Sequence, residues 1–297
     1  MRAAERGFLL LTSHLGDPQS KPLSVAQFRT LTQRMRAAEK ASESRELCLK
    51  DLISLGYNGE MASHILKLLS RQEELEYYVN RAGLRDCYPI TRISRLYPMS
   101  LRNRLGLDCP GCLWAKGDSS LLGRLAVALV GSRDLRPENH AFAREAGRQA
   151  ALQGYVLISG NARGADRTAQ ESCLENGGQV ICIVAESLEN CTDRPGVLYV
   201  SEDSFDVPFS AIRALSRNRL IHAMGKLTLV AQCTKGKGGT WSGTVQNLRN
   251  GLSPVFCFQD GSDGAQALCQ MGASPMDIYD LSDFNKLNNT IISMFDA

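Results

Sequence analysis

From Leu125 onward the chain alternates short apolar runs with helical stretches, and that alternation leaves few folds open to it. Leu125–Val130 is continuously apolar and is followed by Gly131-Ser132-Arg133. A helix then opens at Pro137, a good first-turn residue, and stops at Gly154. The spacing predicts further strands at Tyr155–Ile158, Gln179–Ala185, Val197–Val200, Leu227–Gln232 and Val255–Phe258. It predicts helices at Ala165–Asn176, Phe209–Met224 and Ser242–Asn250. Strands that are apolar throughout, joined by helices of about 10–15 residues, form β-α-β units. The expected fold class is therefore α/β, a parallel sheet with helices on both faces.

The first hundred residues follow another rhythm. Ser24–Lys40 carries Val25, Phe28, Leu31 and Met35 at helical spacing. Glu46–Leu55 and Gly59–Ser70 read as two more helices broken at Gly56-Tyr57-Asn58-Gly59, and Glu73–Ala82 as a fourth. Residues 83–124 read as irregular, punctuated by Pro89, Pro98 and Pro110. The expected organisation is a small helical N-terminal domain over 1–82, a connecting segment over 83–114 and the sheet domain over 115–297.

Composition excludes several classes. With 43% hydrophobic and 22% charged residues in 297, the chain is neither disordered nor fibrous. Leu125–Val130 is its longest strongly apolar stretch, far below the ~18 residues of a membrane helix. The N-terminus lacks the apolar core and cleavage site of a signal peptide, so a cytoplasmic protein is expected. Of its basic residues 25 are Arg and 9 are Lys, a bias compatible with phosphate contacts and also with GC-rich coding. The net charge of +3 is only a mild pointer, and the segment 251–297 is acidic. The ten cysteines are scattered, several in strand-like runs such as Cys182 within Val180–Val184, and read as free buried thiols.

The loops leaving the strands' C-terminal ends share one sheet edge, where ligands bind in such folds. Three of them are Gly131-Ser132-Arg133, Ser159-Gly160-Asn161-Ala162-Arg163-Gly164-Ala165-Asp166 and Lys235-Gly236-Lys237-Gly238-Gly239-Thr240. Each combines glycine with Arg, Lys or a hydroxyl and feeds a helix, which is the recipe for holding phosphate. None matches the phosphate-binding loop of nucleotide hydrolases or a dinucleotide fingerprint, so ATP hydrolysis and nicotinamide chemistry are disfavoured and no cofactor is expected. Cys109-Pro110-Gly111-Cys112 has the spacing of a redox pair or half a zinc site. It precedes the strand-like Leu113–Ala115, with Cys87 the one further candidate ligand, and reads as loop cysteines; no metal is expected. Trp241, beside the third loop, suits stacking on a base or packing beneath the loop, and the sequence leaves both open. Arg92, Arg95, Arg102 and Arg104 read as a solvated basic face. His140 and His222 read as packing or capping residues.

Taken together these motifs resemble the bacterial DNA-processing protein A family (DprA, also called Smf). The resemblance rests on Val127-Ala-Leu-Val-Gly-Ser-Arg133, Ser159–Asp166, Ser216-Arg-Asn-Arg-Leu-Ile-His222 and Gly239-Thr-Trp-Ser-Gly-Thr-Val245. Tyr97-Pro98 and the stretch Trp114–Leu122 add to it. It implies an extended Rossmann-like domain that binds single-stranded DNA and loads RecA, without catalysis, as a homodimer and with no membrane partner. Carried over position by position, the resemblance gives Gly131, Ser132, Arg133, Gly160, Arg163, Gly164, Arg217, Asn218 and Arg219 as phosphate-binding residues, to which the reading of the third loop adds Lys235, Lys237, Gly238, Gly239 and Thr240. Asp166 reads as a cap of the following helix or as a partner orienting Arg163. Ala214-Leu215 stands where the family has Phe-Pro, and Gln170 where it has His. The sequence shows neither a winged-helix module nor a clear helix-hairpin-helix glycine pair. The alternative is a protein that senses a nucleotide. A phosphoribohydrolase-like enzyme is disfavoured because Gly243 stands at the catalytic Glu position.

Overall fold

The computed structural model describes residues 1–38 and 46–287. The chain divides into two compact units, Met1–Tyr97 with Pro110–Leu113 and the remainder. The first unit contains helices α1 (Ala3–Thr12), α2 (Val25–Ala37), α3 (Leu49–Ser54), α4 (Gly59–Leu69) and α5 (Gln72–Gly83) and strand β1 (Cys87–Thr91). Ser24 opens α2 with a capping box, its hydroxyl accepting from Gln27 N while Gln27 reaches back to Ser24 N. Asn58 caps α4 through Met61 N at 2.8 Å, a contact worth about 1 kcal/mol. Leu11, Leu31, Leu52, Ile65 and Leu68 meet in one buried cluster, and Phe8 packs edge-on to Phe28 at 4.8 Å. The end of the predicted Ser24–Lys40 helix, residues 39 and 40, lies outside the described residues.

The second unit is built on α6 (Met99–Leu105), the Trp114–Lys116 part of β2 (Cys112–Lys116), β3 (Ala126–Val130), α7 (Pro137–Leu152), β4 (Val156–Ser159), α8 (Ala165–Glu175) and β5 (Gln179–Ile183). It continues with β6 (Val197–Ser201), α9 (Ala211–Ser216), α10 (Asn218–Met224), β7 (Thr228–Val230), α11 (Gly238–Asn250), β8 (Val255–Phe258), α12 (Asp263–Gln270) and β9 (Ser274–Met276). The strands run in the order β2-β6-β5-β4-β3-β7-β8-β9. All neighbouring pairs are parallel except β2 with β6, so the sheet is mixed at that edge. The chain moves outward from β3 through β4 and β5, then returns to place β7 on the other side of β3. Right-handed crossovers in opposite directions put α7 and α8 on one face and α11 on the other. The reversal between β3 and β7 opens a crevice at the strands' C-terminal ends.

The structure departs from the sequence expectation in identifiable places. The irregular stretch 83–124 contains β1, α6 and β2. The single helix expected over Phe209–Met224 is two helices that meet at Arg217, and α11 begins at Gly238, four residues before its expected start at Ser242. Helices α1 and α12 and strand β9 have no counterpart among the expected elements. Helix α7 lies so close to α8 that a Cβ on Gly147 would fall on the Ala169 carbonyl, 2.8 Å from its carbon. Gly147→Ala should therefore cost about 2 kcal/mol net, overpacking outweighing the helix propensity gained, and lower Tm by about 5 °C. A melting curve with Tm unchanged or raised would show that the two helices separate freely.

Candidate functional site

A cavity of about 720 Å³ opens at the β3/β7 crevice. Gly131, Ser132 and Arg133 from the β3 loop line it, with Lys237, Gly238, Gly239 and Thr240 where α11 begins and with Arg217, Asn218 and His222 around α10. Phe209 and Leu215, both exposed, form an apolar lip. Arg133 and Lys237 are exposed at the mouth. The first turn of α11 has no side-chain cap, so its N–H groups and the positive end of its dipole face this space.

The loops are fastened to one another. Ser132 donates through N and Oγ to Gln232 O at 3.0 and 3.2 Å, and Thr240 Oγ1 donates to Gly131 O at 2.9 Å. The Gln232 side chain accepts from Arg136 N and donates to Asp134 O, both at 3.0 Å. Asp166, buried, accepts from Gly160 N at 3.0 Å and Ala162 N at 3.1 Å, so it braces its own loop; Arg163 pairs with Asp134 instead. Burial pushes the Asp166 carboxyl up, against the pull of the Arg217 guanidinium and of those two amides. The glycines are used the same way. A Cβ on Gly131 would overlap Ala165, one on Gly160 would overlap the Arg217 guanidinium, and one on Gly164, at φ +85°, would lie 2.6 Å from the Arg133 carbonyl carbon.

The expected phosphate-binding cations therefore separate into groups. Arg133 and Lys237 stand at the cavity mouth. Arg217 lies beneath it, 8% exposed, with Nη2 donating to Gly160 O at 3.0 Å. Arg163 and Lys235 are exposed and lie outside the lining; Gly160 and Gly164, also outside it, form the loop behind. Arg219 lies outside the lining as well, in a 2.6 Å ion pair with the buried Glu202 carboxylate and bonded to Asp108 O. Asn218 holds Gly239 O at 3.1 Å. Trp241 lies over a separate depression on α11 with Arg249. Arg104 donates to Ala223 O at the C-terminal end of α10.

Sequence reasoning passed over Arg213 and read His222 only as a packing or capping residue, yet both shape this edge. Arg213 donates to Ala185 O, Val207 O and Pro208 O at 2.6–2.7 Å and to Ser201 Oγ at 3.0 Å, and pairs with Asp203, fixing the segment that leads into α9. His222, four residues after Asn218 and hence on the same helical face, lies under the cavity; that spacing was the signal available. Gly243 packs inside α11 against Asn218 and His222, where a Cβ would already lie 3.2 Å from Asn218 Cβ. All ten cysteines are free thiols, and burial raises Cys173 and Cys233 to about 11. Among the described residues no group of three or more His, Cys, Asp or Glu is placed to hold a metal ion, and no helix is long and apolar enough to cross a membrane.

The family model described as DNA recombination-mediator protein A matches residues 89–286. Protein Smf of Escherichia coli is 30% identical over 196 residues, 61% of this chain and 51% of that protein, so the match spans about half of that relative. DNA processing protein DprA of Streptococcus pneumoniae is 27% identical over 215 residues, 68% of this chain and 72% of that protein. The X-ray structure of the Streptococcus pneumoniae protein shares the fold, with a TM-score of 0.64 at 23% identity, covering 85% of this chain and 91% of that one. DNA processing protein A of Helicobacter pylori, whose structure is described in terms of its single-stranded DNA binding mode, gives a TM-score of 0.57 at 26% identity, covering 69% and 96%. The loop motifs, the sheet order and the match across two thirds of its length lead to one assignment: the chain belongs to the DNA recombination-mediator protein A family.

Proposed function

We propose that this protein is a recombination mediator that binds single-stranded DNA through backbone phosphates with little sequence preference. The observation that carries the reading is the cavity at the sheet reversal, with exposed Arg133 and Lys237 at its mouth and the uncapped first turn of α11 in its wall. Phosphate oxygens would meet the two cations and the helix amides, while bases stay outside and are not read. Delivery of the bound strand to RecA, action as a homodimer in the cytoplasm and the absence of catalysis are carried over as expectations and belong to this proposal.

Fluorescence anisotropy with labelled oligo-dT and a matched duplex over a salt series tests it. The single strand should bind more tightly than the duplex and weaken with salt. Arg133→Ala and Lys237→Ala should each weaken binding alike across sequences and flatten the log–log salt slope by about 0.7 for each phosphate no longer neutralised. Absence of strand binding at low salt overturns the reading, and an unchanged slope in both variants removes these two residues from it. The cavity volume also suits a single small molecule, typically about 300–1,000 Å³, which favours a nucleotide as the second reading. A thermal-shift screen of nucleotides separates the two.

A further inference from the structure

Two buried donors beneath the cavity have no hydrogen-bond partner: Arg217 Nε and His222 Nε2. Arg217 is 8% exposed and His222 1%, and both residues line the cavity. Buried polar atoms in native proteins are nearly always satisfied, so two orphans in one lining call for a common explanation.

The hydrogen-bond network behind His222 fixes which nitrogen carries its proton. Ser253 N donates to Asn247 Oδ1 at 2.9 Å, and an amide N–H can only donate, so the opposite end of the Asn247 amide is its NH₂. That group lies 3.0 Å from His222 Nδ1 and 3.1 Å from Ser253 Oγ, and it too can only donate. Nδ1 is therefore an acceptor, and the proton of the neutral ring sits on Nε2. Thr228 Oγ1, 3.3 Å from Nδ1 and 2.8 Å from Ser253 Oγ, completes the buttress. Burial, with the Arg217 charge nearby, holds the imidazole well below its ordinary range, so it remains a neutral donor at physiological pH. The fold thus keeps an N–H aimed away from its own network, on the side where Gly243 of α11 carries no Cβ, while the Arg217 Nε–H is equally idle.

Resting on the reading of this cavity as a phosphate site, we propose that Arg217 Nε–H and His222 Nε2–H form its floor, and that the group they take is a terminal phosphate. A phosphodiester within a strand carries sugars on both sides and needs two exits, which suits the exposed cations at the mouth. A phosphomonoester needs only one and can reach donors as buried as these. Its second ionisation, near pH 6, gives it close to two negative charges at neutral pH. Those match the positive charge of Arg217, Arg133 and Lys237, reduced by buried Asp166; Asp134, which also lines the cavity, is neutralised by its ion pair with Arg163. The monoester can belong to the end of a DNA strand or to a free mononucleotide.

The test uses the full chain, with oligo-dT carrying a 5′-phosphate, a 3′-phosphate or hydroxyl ends, a circular oligo-dT of equal length, and thymidine monophosphate. One end-phosphorylated strand should bind about tenfold more tightly than the hydroxyl-ended and circular strands, the gain expected of one charge-assisted hydrogen bond. The preference should vanish in His222→Phe. In wild-type protein with ¹⁵N-labelled histidine, the Nε2–H resonance of His222 should move on adding the phosphorylated strand and stay put with its hydroxyl counterpart. Movement with thymidine monophosphate and no strand binding keeps the floor and overturns the strand-binding reading. Strand binding with no end preference and no movement of that resonance overturns the floor alone. If no probe binds, both fall.

Discussion

Arg217→Met should lower the stability of the sheet-containing unit by about 3 kcal/mol, with a fall in Tm of about 10 °C. The side chain bonds Gly160 O, fills the space that the missing Gly160 Cβ leaves and is the largest favourable charge acting on buried Asp166. Without it Asp166 is a buried carboxylate facing only two backbone amides and the more exposed Arg133. The pH dependence gives the cause. A carboxyl whose folded pKa lies above its unfolded value subtracts stability at neutral pH and returns it as the pH falls through the folded pKa. Removing Arg217 raises Asp166 further, so the deficit against wild type should be widest above neutrality and shrink on acidification. Loss of Arg217 also relieves His222 of a nearby positive charge, which acts in the same direction. The Asp166→Asn/Arg217→Met double variant isolates the carboxyl: it should lose less than the sum of the single losses, and its deficit should depend less on pH. Urea denaturation of the four proteins at several pH values measures this. A deficit for Arg217→Met that does not vary with pH would show that Asp166 does not depend on it.

The second large effect is acid sensitivity centred on His222, whose pKa burial and then the Arg217 charge bring down to about 3. Its folded pKa is depressed, so its contribution to stability is complete above the unfolded value near 6.5 and is lost as the pH falls toward about 3. The slope reaches about 1.4 kcal/mol per pH unit, so roughly 2 kcal/mol should be gone at pH 5. His222→Phe should begin less stable, because Asn247 loses an acceptor, yet show a flatter decline over that window. His14, His64 and His140 are common to both proteins and cancel in the comparison. Parallel declines would mean that the imidazole takes up a proton within the fold.

The strands were legible because a doubly covered parallel strand is apolar at every position, as in Ala126-Val-Ala-Leu-Val130. The elements missed lack such a signature. The run Phe8–Leu11 in α1 is apolar without helical period, β9 is three residues around a proline, and Pro89, Pro98 and Pro110 make the surroundings of β1, α6 and β2 look like loop. The helix break falls at Arg217, whose guanidinium is anchored across the sheet edge at Gly160, and no local spacing encodes that anchorage. The same limit governs the site. Glycines at 131, 160 and 164 announced close approach, but the approaching groups are Ala165, Arg217 and the Ser132–Arg133 backbone, neighbours supplied by other loops. Sequence alone carries the sign of Arg217 and Arg219 but not their burial.

The ties among Ser132, Gln232, Thr240, Gly131 and Asp166 have a thermodynamic consequence. Ordering a flexible loop around a ligand costs conformational entropy that is subtracted from affinity. Here the backbone of all three loops is already held by hydrogen bonds that a ligand does not have to make. Of the cavity-lining cations only Arg133 and Lys237 give up side-chain freedom on capture. Beyond the freedom that the ligand itself loses, what opposes binding is the stripping of water from charged groups and from the incoming phosphate. Affinity at this edge should therefore answer more to the ions and solvent around it than to any substitution that stiffens the chain.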